Sequence, residues 1–258
     1  MGSASGRDTV DVLGVAVDRV TMLEAVERVE SMMASSVCRQ SGSEMHHVVT
    51  VNSEMVMMAR ERPDFAQILA QASLVVPDGI GVVWGARLLG DYLPERVAGI
   101  DLMDQVLAAC AKRGWRPFLL GAAPGVAEQA AAALQRRHAG LEIAGVHHGY
   151  FNHDEEATVL EQIESTSPDL LLVAMGAPRQ EYWIARHRHR LPVALAVGVG
   201  GSLDVWAGHV TRAPRWMREV GLEWAYRLLR QPRRILRMAA LPRFALTVLS
   251  HRFFRGRR

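Results

Sequence analysis

Two rhythms of apolar residues alternate along the chain. Short runs at 47–51, 74–76, 118–121, 141–146, 169–175 and 193–199 are rich in branched side chains and end near Gly or Pro. Runs of this kind predict strands buried on both faces. Between them lie stretches whose apolar residues recur three and four apart, which predicts helices over 21–33, 53–61, 82–89, 101–113, 126–138, 155–165 and 180–188, and a short one after Asp64. Thr21-Met-Leu-Glu24 forms a capping box, and Ser53, Asp64 and Asp101 stand where helix caps belong. Residues 8–17 alternate in an extended manner up to Asp18, 35–43 and 92–99 read as loops, and 217–229 reads as one helix broken by Pro232. Strands alternating with helices predict an α/β fold: a Rossmann-like, mostly parallel sheet with helices on both faces.

Ligands of such sheets lie at the carboxyl ends of the strands. The loops there are Thr50-Val51-Asn52, Pro77-Asp78-Gly79, Gly121-Ala-Ala-Pro-Gly125, Gly149-Tyr150-Phe151, Gly176-Ala-Pro-Arg-Gln-Glu181 and the glycine-rich segment from Gly198 to Asp204. Glycine lets a ligand approach the backbone, and helix N-termini favour phosphate. The central one is Leu74-Val-Val-Pro-Asp-Gly-Ile-Gly81, where Asp78 is the one acid. Such an aspartate can be a base, or it can bond its own backbone in a turn. The segment 121–125 is not a G-x-G-x-x-G fingerprint, and Lys112, the only lysine, is not in a phosphate-binding loop.

Charge adds a division of labour. The net +3 is made of ten arginines and no acid from Arg227 to the end, against −7 in residues 1–226. Apolar residues such as Ile235, Leu241, Phe244 and Phe253 interleave with those arginines, as in a helix lying on an anionic membrane surface. The expected organisation is an α/β catalytic domain at 1–210 and a basic amphipathic appendage at 211–258. No stretch is apolar enough to span a bilayer and no apolar signal core opens the chain. Cys38 and Cys110 have no metal or redox spacing, and His147, His148, His187 and His189 lack ligand company, so no metal centre is expected.

Taken together the loops resemble the WecG/TagA/CpsF family of bacterial glycosyltransferases. The resemblance rests on Thr50-Val-Asn52, Pro77-Asp-Gly-Ile-Gly81, Glu95-Arg-Val-Ala-Gly99, Gly149-Tyr-Phe151, Pro168-Asp-Leu-Leu-Leu-Val-Ala174, Gly176-Ala-Pro-Arg-Gln-Glu181, the 198–204 segment, Arg212-Ala-Pro214 and Gly221-Leu-Glu-Trp-Ala-Tyr-Arg227, in family order. It implies an inverting hexosyltransferase that moves a sugar, most often N-acetylmannosamine, from a UDP-sugar to a polyprenyl-diphosphate-linked acceptor. It also implies a cytoplasmic enzyme peripheral on the inner face of the cell membrane.

The resemblance gives the residues roles. Asp78 would be the catalytic base, with Thr50, Asn52 and Arg96 around it. Gly149, Tyr150, Gly176 and Asp204 would hold the donor, Tyr150 by stacking on uracil, and Gln180 would contact the donor or help position it. Glu181 is equally a helix N-terminal charge. The chain has no Asp-x-Asp pair, so protein cations rather than a metal are expected at the diphosphate, with Arg96 and then Arg227, Arg234 and Arg237 of the tail as candidates. No cofactor and no nucleic acid are expected, and a homo-oligomer is left open. Two alternatives remain at this point: UDP-glucose or another UDP-hexose as donor, and an NAD(P)-dependent oxidoreductase on a similar sheet. A nucleic-acid binder using the arginine tail is the weakest reading, since no aromatic-basic platform stands elsewhere.

Overall fold

The computed structural model describes residues 7–37, 45–230 and 240–255. The strands are β1 (Thr9–Val12), β2 (Val15–Asp18), β3 (His46–Val51), β4 (Leu74–Pro77), β5 (Pro117–Gly121), β6 (Gly145–His147), β7 (Leu170–Ala174) and β8 (Leu195–Gly198). The helices are α1 (Met22–Val37), α2 (Ser53–Glu61), α3 (Pro63–Ala70), α4 (Ile80–Leu88), α5 (Gly99–Arg113), α6 (Val126–Arg137), α7 (His153–Thr166), α8 (Arg179–His187), α9 (Ser202–Trp206), α10 (Arg215–Glu219), α11 (Glu223–Arg230) and, here labelled α12, Ala240–Arg255. The α/β class and the parallel sheet are as the sequence predicts. Packing divides the chain into two compact units: Met1–Thr21, Val51–Ala98 and Thr211–Arg258 in the first, Met22–Thr50 and Gly99–Val210 in the second.

The second unit carries the strand order β3-β8-β7-β5-β6, with every pairing parallel. Its strands are continuous apolar runs because both faces are covered. On one face Phe118, Leu120, Leu171, Val173 and Ala196 meet Val159, Leu160 and Ile163 of α7 and Trp183 and Ile184 of α8. Leu119, Leu172 and Val197, one residue out of phase, point to the opposite face. There α6 packs against β5 and β6. Strand β6 is shorter than the predicted 141–146, because Leu141 turns back to bond the end of α6 and pairing begins only at Gly145. Cys110 lies on the buried side of α5, and burial, with the Asp169 charge second, pushes its thiol up to about 12.

In the first unit the alternating run before Asp18 is a hairpin, β1 against β2, with Thr9 opposite Asp18 and Val12 opposite Val15. Asp18 is fully buried and accepts bonds from the Arg7 guanidinium at 3.0 Å and from the Val75 N–H at 2.7 Å, which ties the hairpin to β4. The predicted helix 217–229 is two helices, α10 and α11. The break is at Gly221, whose φ of +75° lies in the left-handed region that only glycine enters without strain.

Helix α12 lies across α2 and α4 and seats Phe244 and Val248, both buried. Gly85 of α4 makes that seat: a Cβ there would stand 2.6 Å from the Phe244 ring. Gly85→Ala is therefore expected to lift α12 at a cost of about 1–3 kcal/mol, the usual penalty of overpacking. Limited proteolysis reads this out as faster cleavage within residues 240–255, and an unchanged rate would mean that α12 does not depend on this seat. Trp84, Trp216, Leu246 and Phe253 remain exposed on this unit. Among the described residues no helix is long and apolar enough to cross a membrane.

Candidate active site

In the first unit, β4 ends at Pro77 and the next residue is Asp78. The Asp78 N–H donates to the Val51 carbonyl at 2.9 Å, so the turn is fastened to the end of β3. Asn52 follows Val51 directly and uses its side chain to cap α2, accepting from the Met55 N–H at 3.0 Å. The Asp78 side chain is about one third exposed. Its backbone is therefore held while part of the side chain stays accessible, as a base receiving a proton from a substrate requires.

Arg96 organises this turn. Its Nε donates to the Asp78 carbonyl at 2.6 Å, and a terminal nitrogen stands 3.8 Å from Asp78 Oδ1. The same nitrogen bonds Glu223 Oε2 at 2.8 Å. Arg212 approaches the other Glu223 oxygen at 3.9 Å. Glu223 is only 5% exposed, so a buried carboxylate of α11 joins two guanidiniums beside Asp78. Sequence reading gave Glu223 no role, because one acid in an amphipathic helix looks like solvent-facing charge. The signal was its neighbourhood, Gly221-Leu-Glu-Trp, next to the glycine that turns the chain.

In the second unit the remaining predicted residues lie on strand-end loops. Thr50, near the end of β3, donates from its hydroxyl to the Gly198 carbonyl at 3.4 Å. Tyr150 is 71% exposed, and its loop is anchored from behind. The Gly149 N–H donates to the Ala122 carbonyl at 2.9 Å, while Arg179 donates to the Gly149 carbonyl at 3.2 Å and lies 5.9 Å from the Phe151 ring centre. The anchoring by Arg179 went unread in the sequence. An exposed ring on a fixed loop suits stacking on a base. Asp204 sits in α9, and its carbonyl accepts from the His209 and Val210 N–H groups, leaving its half-buried carboxylate for other partners.

Gln180 and Glu181 stand in the first turn of α8, so Glu181 is the helix N-terminal charge that the sequence allows. Both are buried, 4% and 1% exposed. The Gln180 oxygen accepts from the Gly176 N–H at 3.1 Å and the Gly200 N–H at 3.0 Å, and its nitrogen donates to Glu181 Oε1 at 2.8 Å. Burial pushes the Glu181 carboxyl up to about 7, against the Gln180 bond that lowers it. A carboxyl raised in the folded state stabilises fully below its unfolded value, and that contribution is lost as pH rises through the folded one. Replacing Glu181 by Gln removes the cost of burying the ion. The gain in stability over the wild type is expected to be about 3 kcal/mol larger at pH 8 than at pH 4. Denaturant unfolding at the two pH values measures it, and an equal gain would mean Glu181 does not titrate there.

Among the described residues no group of three or more His, Cys, Asp or Glu side chains could hold a metal. Arg234 and Arg237 lie outside the described residues, as does the side chain of Arg227. Asp78, Asn52 and Arg96 thus come together in one unit, and Thr50, Gly149, Tyr150, Gly176, Gln180 and Asp204 belong to the other.

Known proteins are similar to this chain over most of its length. The model described as "Glycosyl transferase WecG/TagA/CpsF family" matches residues 10–258. A protein of Staphylococcus aureus strain MRSA252 is 40% identical over 235 residues, 91% of this chain and 90% of its own length. One of Bacillus spizizenii is 40% identical over 204 residues, 79% of each. Both are named N-acetylglucosaminyldiphosphoundecaprenol N-acetyl-beta-D-mannosaminyltransferase. With the family matched from the first hairpin to the last arginine, the chain belongs to the WecG/TagA/CpsF family of glycosyl transferases.

Proposed function

We propose that this chain transfers N-acetylmannosamine from its UDP derivative to N-acetylglucosaminyl-diphospho-undecaprenol, in synthesis of a cell-surface polysaccharide or a teichoic-acid-type polymer. The observation that carries this is the pair of relatives whose names give that sugar and that acceptor, one of them 40% identical over 91% of the chain. Family membership leaves the oxidoreductase and nucleic-acid alternatives without support.

The step is a direct displacement. An acceptor hydroxyl oxygen attacks the anomeric carbon from the side opposite UDP. The new C–O bond forms as the bond to the diphosphate breaks, Asp78 takes the hydroxyl proton and UDP leaves with the electron pair. A carboxylate is a weak base for an alcohol, so the proton moves late, once the electron-poor carbon has begun to capture the oxygen. Arg96 fixes Asp78 through its backbone carbonyl and side chain. Tyr150 stacks on the uracil and Asp204 takes a nucleoside hydroxyl. The basic tail, including Arg227, Arg234 and Arg237, neutralises the leaving diphosphate and meets anionic lipid. This reading needs no metal ion and places the enzyme peripherally on the inner face of the membrane.

A donor panel tests it. The protein is incubated with a short-chain lipid-diphosphate N-acetylglucosamine acceptor, EDTA, and in turn the UDP derivatives of N-acetylmannosamine, N-acetylglucosamine, glucose and glucuronic acid. Acceptor-dependent UDP release from the first alone is the expected result. Release from UDP-glucose instead would replace the donor, and loss of activity in EDTA would refute metal independence.

A further inference from the structure

The loops after β7 and β8 hold Gly176 and Gly200, and no backbone bond links these two residues to each other. Gln180, in the first turn of α8, links them instead. Its single oxygen accepts from both backbone N–H groups, at 3.1 and 3.0 Å. Only an oxygen can accept from an N–H, so these two bonds fix which way round the amide lies. The nitrogen is then forced to face Glu181, and it finds Oε1 at 2.8 Å. Both acceptor positions of the amide are filled and the group is buried. The oxygen is placed to join the loops.

The space around the pair is equally committed. Gly198, the last residue of β8, lies beneath it, and a Cβ there would overlap the Gln180 amide nitrogen and stand 2.7 Å from Glu181 Oε1. The Gly198 carbonyl in turn receives the Thr50 hydroxyl at 3.4 Å. Glu181 Oε2 is buried and has no hydrogen-bond partner among the described residues. A carboxylate engaged at one oxygen only is a poor ion-pair element, but that one oxygen is what holds the Gln180 nitrogen.

We propose that Glu181 is a positioning residue of the donor site: by accepting from the Gln180 nitrogen it keeps the Gln180 oxygen on Gly176 and Gly200, and so holds the two strand-end loops in register for the UDP-sugar. The proposal rests on the donor reading given above. It assigns to Glu181 a geometric task that needs an acceptor oxygen at a fixed distance and does not need a negative charge.

Length and charge can be separated by two substitutions that both preserve bulk closely. Glu181→Gln keeps an acceptor oxygen at full reach and removes the charge. Glu181→Asp keeps the charge and withdraws the acceptor by one methylene, leaving the Gln180 N–H without its bond. Orphaning a buried N–H is worth about five- to a hundredfold in an equilibrium. Donor KM is expected to rise at least about fivefold in Glu181→Asp with kcat changed less, and to stay within about twofold of wild type in Glu181→Gln. Amide hydrogen exchange of the peptides carrying Gly176 and Gly200 is expected to quicken in Glu181→Asp alone. An unaltered donor KM in Glu181→Asp, or Glu181→Gln as the worse of the two, would overturn the proposal. If the wild type turns over no UDP-sugar, the donor reading fails. The exchange rates still test the clamp, which unchanged exchange in Glu181→Asp would refute.

Discussion

Asp78→Asn is expected to lower kcat by about a thousandfold, the middle of the range for a general base, while UDP affinity stays within about twofold of wild type. The amide has the shape of the carboxylate, and the turn that carries it is held by backbone bonds: the Asp78 N–H reaches the Val51 carbonyl at 2.9 Å and the Val97 N–H reaches the Pro77 carbonyl at 2.9 Å. The substitution therefore removes the capacity to take a proton and the charge that faces Arg96, while the backbone bonds of the turn remain. Asp78 is not among the residues proposed to hold the donor, so UDP affinity is expected to hold. Single-turnover transfer to the lipid-linked acceptor, with UDP titration calorimetry in parallel, measures both halves. A variant turning over within about tenfold of wild type would remove Asp78 as the base.

Arg96→Lys is expected to behave almost as badly as loss of the side chain, with kcat down about a hundredfold and stability down by about 3 kcal/mol. Arg96 spans three acceptors with one rigid fork: the Asp78 carbonyl, the Asp78 carboxylate and the buried Glu223 carboxylate. An ammonium is a point charge and cannot hold that geometry. Glu223 would keep its Arg212 contact at 3.9 Å and lose the Arg96 hydrogen bond at 2.8 Å. A misplaced base costs rate even when it remains charged. Kinetics and denaturant unfolding of the same preparation separate the two effects. Wild-type kcat in Arg96→Lys would show that charge alone suffices there.

Much of this was legible in the sequence, for identifiable reasons. Buried parallel strands must be apolar throughout, so β3, β5, β7 and β8 announce themselves. Their ends carry Gly, Pro and Asp because the chain must turn there, and this put Asp78, Tyr150 and Gly176 on the page as loop residues. The misses have different causes, and for Glu223 the decisive partner lies far along the chain. Glu223 and Arg96 are 127 residues apart, and neither spacing nor periodicity connects them. Gln180 reads as a donor contact or a positioning group because its motif sits at a strand end, and its amide oxygen accepts from Gly176 and Gly200. The hairpin at residues 9–18 read as a single extended run because a two-residue turn at Leu13-Gly14 barely interrupts the alternation. The helix over 217–229 read as one because a lone glycine costs a helical pattern little, and only its positive φ reveals the break.

The buried thiol of Cys110 has a practical use. With its ionisation pushed up to about 12, only about one molecule in 10⁵ carries a thiolate at neutral pH, and the side chain is shielded as well. A Cys38→Ser chain would therefore react slowly with maleimides as it stands. A single cysteine placed on the exposed side of α12, at Leu246 or Phe253, would then carry an environment-sensitive dye with little background. Blue-shifted emission on adding anionic vesicles, absent with neutral ones, would report contact of this helix with anionic lipid without disturbing the turn at Asp78.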